Sequence, residues 1–299
     1  MKIAYLFFAY KNPKLMKKAI QYLSSEDTAF FIHIDKKKEI QDFTEIQGSN
    51  IFFTAERVSV YWGEYSGVQA ILTLIKQARA MPQDYDYYVL LSGSDYPIRS
   101  KKYIDDFFLK NCGKEFINII KVPNEDAGKP LSRINTLRIQ SNKPIYRFIS
   151  RVMAKLGLAQ RDYKKYLGNL EAYAGNTWWA LTREASDFIL EFVQENPSTC
   201  KYFEDTFAPE EMFFHTILGN SHFKSQIHRN LIYEDWSCRG GHPAMITEKH
   251  IKLFEDSDQV IQSDLWGSGE MIFARKFSDE NLDVVDKLDT IIELKEGNY

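Results

Sequence analysis

Only three of the 299 residues are cysteine, at 112, 200 and 238, and none lies in a CxxC pair or at zinc-ligand spacing. So sparse and odd a set argues against a disulfide scaffold and suits a reducing compartment. Excess charge is missing too. With 38 basic and 41 acidic side chains the net charge is −3, so no global basic field recruits nucleic acid. The N-terminal apolar run, in MKIAYLFFAYKNP, is too short for a membrane span and precedes no cleavage site. These absences lead us to expect a cytoplasmic protein, with peripheral contact at the inner face of the membrane left open. The glycine motifs of nucleotide chemistry are also absent: there is no GxxxxGK[ST] and no GxGxxG after a strand, and the lone GxG of WGSGEM is a weak signal. No GxSxG elbow supports a serine hydrolase. Without repeats, low-complexity tracts or Gly/Ser linkers, the chain reads as one compact domain over residues 1–299.

What is present is a core: 44% hydrophobic residues, with 21 Phe, 17 Tyr and 5 Trp. KIAYLFFAY (2–10) is a continuous apolar run, after which Asn12-Pro13 opens an amphipathic helix. AFFIHID (29–35) and NIFFTAE (50–56) read as second and third strands, and 66–81 has helical periodicity. YDYYVLLSGSDYPI (85–98) starts as a fourth strand and breaks at Ser-Gly-Ser-Asp. TWWALTREASDFILEFV reads as a strand, then a helix from Thr182 or Arg183. MIFARKF (271–277) is a final strand. Strands alternating with helices imply an α/β fold with a mostly parallel central sheet and helices on both faces. Ligands of such sheets bind beyond the carboxyl ends of the strands, which brings His33, Asp35, Ser92, Ser94 and Asp95 to one crevice. Residues 121–170 differ, with scattered Arg and Lys and a basic amphipathic stretch, IYRFISRVMAKLGLAQRDYKKY, that reads as a solvated face or a membrane or partner contact.

Several side chains there suit sugar or phosphate chemistry. FAPEEMFFHTIL (207–218) puts Glu210 and Glu211 after Pro209, as a helix start, a catalytic base, or both. SGSDYP offers one acidic residue where a metal-dependent nucleotide-sugar transferase places an Asp-x-Asp pair, so no metal site is expected. Phosphates would then need cations; Arg239, Arg275 and Lys276 are candidates, although adjacent strand residues such as Arg275 and Lys276 face opposite ways. Trp178, Trp179 and Trp236 are core residues or stacking platforms for sugar rings. A glycosidase using Glu210 or Glu211 with Asp95 stays open, as does a non-catalytic saccharide-binding protein.

Taken in order, AYLFFAYKNP, FIHIDKK, VYWGEYSGVQAIL, YYVLLSGSDYPI, GNTWWALTREA, APEEMFFHTIL, DWS…GGHP and FARKF resemble the core-2/I-branching glycosyltransferases, the family that also holds the peptide O-xylosyltransferases. The resemblance runs from Lys2 to about Phe277 and is weakest across 121–170. It implies a GT-A type fold, with a nucleotide-binding half over about 1–120 and an acceptor-binding half over about 121–299. It implies an inverting enzyme that moves a sugar, GlcNAc or xylose first, from a UDP-sugar to a saccharide or glycolipid hydroxyl, with no cofactor and no obligatory divalent metal. The family's base closes a Ser-Pro-Asp-Glu motif, here Ala208-Pro209-Glu210-Glu211, so the role falls on Glu211, with Glu210 beside the acceptor. Lys276 matches the diphosphate lysine, and Arg239 or Arg275 the second diphosphate cation. His33, Asp35, Ser94 and Asp95 fall at the nucleoside, and Trp178, Trp179 and Trp236 at the acceptor. Many animal members carry an anchor helix and several disulfides; their absence here implies a bacterial, cytoplasmic relative that builds surface polysaccharide or glycoconjugate.

Overall fold

The computed structural model describes residues 1–139, 144–238 and 241–297. Its strands are β1 (Ile3–Ala9), β2 (Thr28–Ile34), β3 (Ile51–Phe53), β4 (Tyr87–Ser92), β5 (Tyr96–Pro97), β6 (Glu115–Ile117), β7 (Ile120–Lys121), β8 (Tyr173–Ala174), β9 (Trp179–Thr182), β10 (Ile227–His228), β11 (Ile232–Glu234), β12 (Ile261–Asp264), β13 (Gly267–Glu270) and β14 (Phe273–Arg275). The helices are α1 (Pro13–Leu23), α2 (Ser66–Arg79), α3 (Lys101–Lys110), α4 (Ser132–Asn135), α5 (Pro144–Lys155), α6 (Lys164–Leu167), α7 (Arg183–Glu195), α8 (Pro197–Glu204), α9 (Phe213–Gly219), α10 (Glu248–Asp256) and α11 (Leu282–Gly297).

Seven strands form the central sheet in the order β10-β6-β9-β4-β1-β2-β3. Only β9 runs antiparallel to its neighbours, so the sheet is mostly parallel, as the alternating pattern predicts. A strand covered by helices on both faces must be apolar at every position, which is why β1 and β2 read as unbroken runs. Successive residues of β1 serve opposite cores. Ile3, Tyr5 and Phe7 pack with α1, α3, α10 and α11, whereas Ala4 and Leu6 pack with α2, α7, α8 and α9. Thr182 ends β9 and caps α7 by accepting a hydrogen bond from Ala185 N at 3.2 Å, so one residue switches strand to helix.

Three elements differ from the sequence reading. In MIFARKF only Phe273–Arg275 is strand, and it joins a second, three-stranded sheet, β11-β14-β5, not the central one. Pro209–Glu211 is a single 3-10 turn and not the start of a continuous helix, because Ala208 is left-handed (φ 47°) and Met212 breaks the helical path (φ −134°) before α9 begins. Helix α11, which closes one core, escaped notice. Its apolar residues Val285, Leu288 and Ile292 lie among acids and lysines, and no proline marks its start.

Candidate active site

The carboxyl ends of β1, β2 and β4 lie side by side on one edge of the central sheet, and each is tied to a neighbouring loop. After β1, Asn12 takes a left-handed conformation (φ 62°) and its Nδ2 donates to Ser94 Oγ at 2.8 Å. Gly93 passes so close to this turn that a Cβ there would lie 2.5 Å from Lys11 O. Ser94 O in turn accepts from Phe277 N at 2.9 Å. The SGSD turn is thus clamped between the first loop and the last strand segment, with Ser94 spent on structure.

After β2, Asp35 Oδ1 accepts from Lys37 N (3.0 Å) and Val60 N (3.2 Å), and Lys37 Nζ lies 3.2 Å from Oδ2. His33 is enclosed; its Nε2 accepts from Val58 N at 2.8 Å, and burial pushes its pKa down to about 4. His33 therefore holds the 57–65 loop from below as a neutral ring and presents no edge to a nucleoside. Asp35 is also buried, with both carboxylate oxygens held by the loops that follow. The same loop continues to Gly63 O, which accepts from Ala208 N at 3.0 Å. It thus spans from the β2 end to the Pro-Glu-Glu turn.

At that turn the two glutamates separate. Glu211 Oε2 accepts from Lys129 Nζ at 2.5 Å and from Arg133 Nη1 at 2.6 Å. Both partners only donate, so the contact is made by the carboxylate, the proton-accepting form. Among the described residues no hydrogen bond reaches Oε1. Burial and the neighbouring Arg133 lower the Lys129 pKa while Glu211 opposes the shift. Glu210 turns the other way. Its side chain packs along Gly67 in the first turn of α2, and its Oε2 is buried with no hydrogen-bond partner. Burial raises its pKa to about 8, so the chain carries it as the neutral acid at pH 7.

Arg275 ends β14 and Lys276 lies just beyond it. Arg275 is buried, with Nε 3.2 Å from Asp95 Oδ1 and 3.9 Å from Glu234 Oε1, and its guanidinium carbon 4.2 Å from the Trp178 ring centre. Asp95 is wholly enclosed on the other side of this contact, and burial raises the pKa of both acids. Asp95 is therefore the counter-ion of Arg275, out of reach of a nucleoside, of a glycosidic bond or of a cation in the crevice. Arg275 is correspondingly committed and not free for a diphosphate. Lys276 is half-buried beside that cluster, and burial with Arg275 and Lys11 nearby lowers its pKa. Trp179 is closed into the core against Phe214 (ring centres 6.0 Å apart), so it offers no face to a sugar. Trp178 is half-buried over Arg275, and Trp236 is exposed with its Nε1 donating to Glu234 Oε2 at 3.2 Å. Arg239 lies outside the described residues.

Loop 175–178 links the Pro-Glu-Glu turn to the Arg275 cluster. Gly175 N donates to Glu211 O at 2.9 Å, Asn176 O lies 2.9 Å from His215 Nε2, and the Trp178 ring lies over Arg275. Glu211, Glu234 and Arg275 thus belong to one connected set. Lys129, Arg133, Asn176 and Glu234 escaped the sequence reading. The first two had a signal, a basic run in 121–170, but nothing to pair it with Glu211. Two cavities, of about 910 and 430 Å³, border α3 at Tyr103 and Asp106 and include none of these residues.

A sequence profile described as Core-2/I-Branching enzyme matches residues 3–258. The chain belongs to that family. At 25% identity it is similar to a xylosyltransferase of Ciona intestinalis over 314 residues, covering 97% of this chain and 34% of that protein. It is also 25% identical to xylosyltransferase 2 of Rattus norvegicus, covering 97% of this chain and 33% of that one. The chain thus spans about a third of the length of these curated relatives. Among solved structures, mouse xyloside xylosyltransferase 1 in apo form aligns at 12% identity and TM-score 0.36, over 95% of this chain and 98% of that one. The bifunctional glycosyltransferase WbbM aligns at 10% identity and TM-score 0.41, over 97% and 49%. Among the described residues no helix is long and apolar enough to cross a membrane.

Two stability predictions follow from the buried charges of this core-2/I-branching member. Arg275→Ala leaves Asp95 and Glu234 without their cation and is expected to cost about 3–5 kcal/mol in a denaturant melt; a loss well under this range contradicts the buried pairing. Glu210→Gln removes an acid whose folded pKa is raised from 4.5 to about 8. Wild type loses stability relative to this variant as pH rises from about 4.5 to about 8, because the unfolded chain releases that proton first. Above about 8 the gap is constant. Paired melts across this window check the sign, and a gap independent of pH refutes the enclosed neutral acid.

Proposed function

We propose that this chain is a GT-A type inverting glycosyltransferase that moves a sugar from a UDP-sugar to a hydroxyl of a saccharide or glycolipid. The observation that carries the reading is the Pro-Glu-Glu turn. It holds Glu211 by two cations through Oε2 and leaves Oε1 open, at a crevice beyond the carboxyl ends of a mostly parallel sheet. Family membership, and relatives named xylosyltransferases, support the same chemistry, with xylose or GlcNAc as the first donors to test.

In the proposed step Glu211 accepts the proton of the acceptor hydroxyl while that oxygen bonds to the anomeric carbon. The bond from this carbon to the diphosphate breaks with inversion, and UDP leaves with the electron pair. Lys129 and Arg133 position the carboxylate and offer donors to acceptor hydroxyls. Lys276, the cation left over once Arg275 is paired, meets the diphosphate in place of a metal; Arg239 is its proposed companion. Asp35 is the proposed nucleoside contact, and Trp236 the sugar platform. A hydrolase pairing Asp95 with either glutamate is disfavoured because Asp95 is enclosed against Arg275.

Glu211→Gln is expected to lower transfer by roughly 10²–10⁴-fold with UDP affinity unchanged, while Lys276→Ala weakens UDP binding by about tenfold or more. Steady-state rates with a panel of UDP-sugars, and calorimetry with UDP, measure both. A Glu211→Gln enzyme as fast as wild type sinks the assignment. Transfer is also expected to persist in excess EDTA. Loss that manganese restores would give the diphosphate to a metal instead of Lys276.

A further inference from the structure

Helix α5 carries an apolar face that faces solvent instead of a core. Ile145, Phe148, Ile149, Val152 and Leu156 recur at the spacing that puts side chains on one side of an α-helix, and all are exposed. With Leu158 they supply six of the sixteen large hydrophobic residues exposed among the described residues, within 145–158. Phe148 is 62% exposed, Leu156 65% and Leu158 68%, values at which the usual reward for an amphipathic pattern is missing.

The charge of this segment is one-sided. From Lys143 to Lys155 the sequence has four basic residues and no acidic one, in a chain whose net charge is −3. Lys155 is exposed beside the apolar row, and Lys164 and Lys165 follow on α6. A single short helix about 18 Å long, with an exposed apolar face in a segment whose charged residues are all basic, has the design of a helix that lies in a bilayer interface. We propose that α5, with Leu156 and Leu158, docks this protein on an anionic lipid surface.

The segment is rooted where docking would matter. Leu137 N donates to Ala159 O at 2.7 Å and Arg161 N to Asn135 O at 2.7 Å, closing a stem under the helix. Arg138 N donates to Asp205 O at 2.8 Å, and the Arg138 guanidinium lies 4.3 Å from the Phe207 ring centre. Arg133, one turn before the stem, is the Glu211 partner. A docked α5 therefore holds the Pro-Glu-Glu turn close to the bilayer, where an acceptor carried on a lipid would reach it. That last consequence rests on the proposed sugar transfer; the docking itself does not.

The test is co-sedimentation of the full chain with vesicles of phosphatidylcholine, alone or mixed with phosphatidylglycerol, at low and high salt. Wild type is expected to pellet with the mixed vesicles, less so at high salt and little with phosphatidylcholine alone. The triple variant Phe148→Asp/Val152→Asp/Leu156→Asp is expected to bind roughly tenfold or more weakly with an unchanged Tm, since the three side chains already face water. Lys155→Glu alone is expected to weaken binding to mixed vesicles and leave the neutral ones unaffected. Failure of wild type to bind mixed vesicles, equal binding to neutral ones, or full binding by the triple variant overturns the proposal. So does a wild-type dimer that the triple variant dissolves while neither protein binds vesicles, which would make the face a contact between copies. Docking measured this way needs no turnover, so its failure is distinguishable from failure of the transfer assay.

Discussion

A guanidinium enclosed by two carboxylates and an indole joins the central sheet to the three-stranded one. Arg275 belongs to the three-stranded sheet, as does Glu234, whereas Ser92 ends a central-sheet strand, Asp95 lies in the turn that follows it, and Trp178 lies in the loop entering another strand. Burying three charges is tolerable only when they satisfy one another. This cluster therefore fixes how the last strand sits over the carboxyl edge of the central sheet. Lys276 follows at once, just beyond the end of that strand and half-buried.

Around the crevice the loops are held by backbone as much as by side chains. The 57–65 loop is fastened to Asp35 at one end and to Ala208 at the other, and loop 175–178 to Glu211 and to His215. A sheet supplies the rigid edge and the loops supply the chemistry, the usual division of labour in α/β proteins. The paired glutamates show how little sequence distance is needed for opposite environments. One faces two cations and the other the apolar side of a helix start.

Much of the frame was legible in the residues. Unbroken apolar runs gave β1, β2 and β4, and Asn12-Pro13 and Thr182-Arg183 marked helix starts, because those patterns reflect local physics. The short strand of FARKF, the break at Met212 and the long last helix were not, since tertiary pairing decides them. For the site, order along the chain singles out Glu211, Lys276 and Asp35 as candidates, but cannot tell which polar residues spend themselves on structure. His33, Ser94, Asp95 and Arg275 do so, and Trp179 is closed into the core. Lys129 and Arg133 come from the stretch where the pattern is least regular, and only the folded chain sets them against Glu211.

The hydrogen bond from Gly175 to Glu211 has a wider meaning. A Cβ on Gly175 would overlap Asn118 O at 1.9 Å, so the loop has no room to shift there. The loop that carries Trp178 and the turn that carries Glu211 therefore move as one body. Under the proposed chemistry, the surface that selects a sugar and the group that reacts with it share a single tether. Acceptor preference and rate are then not independent traits in this protein, and a change that remodels one is inherited by the other.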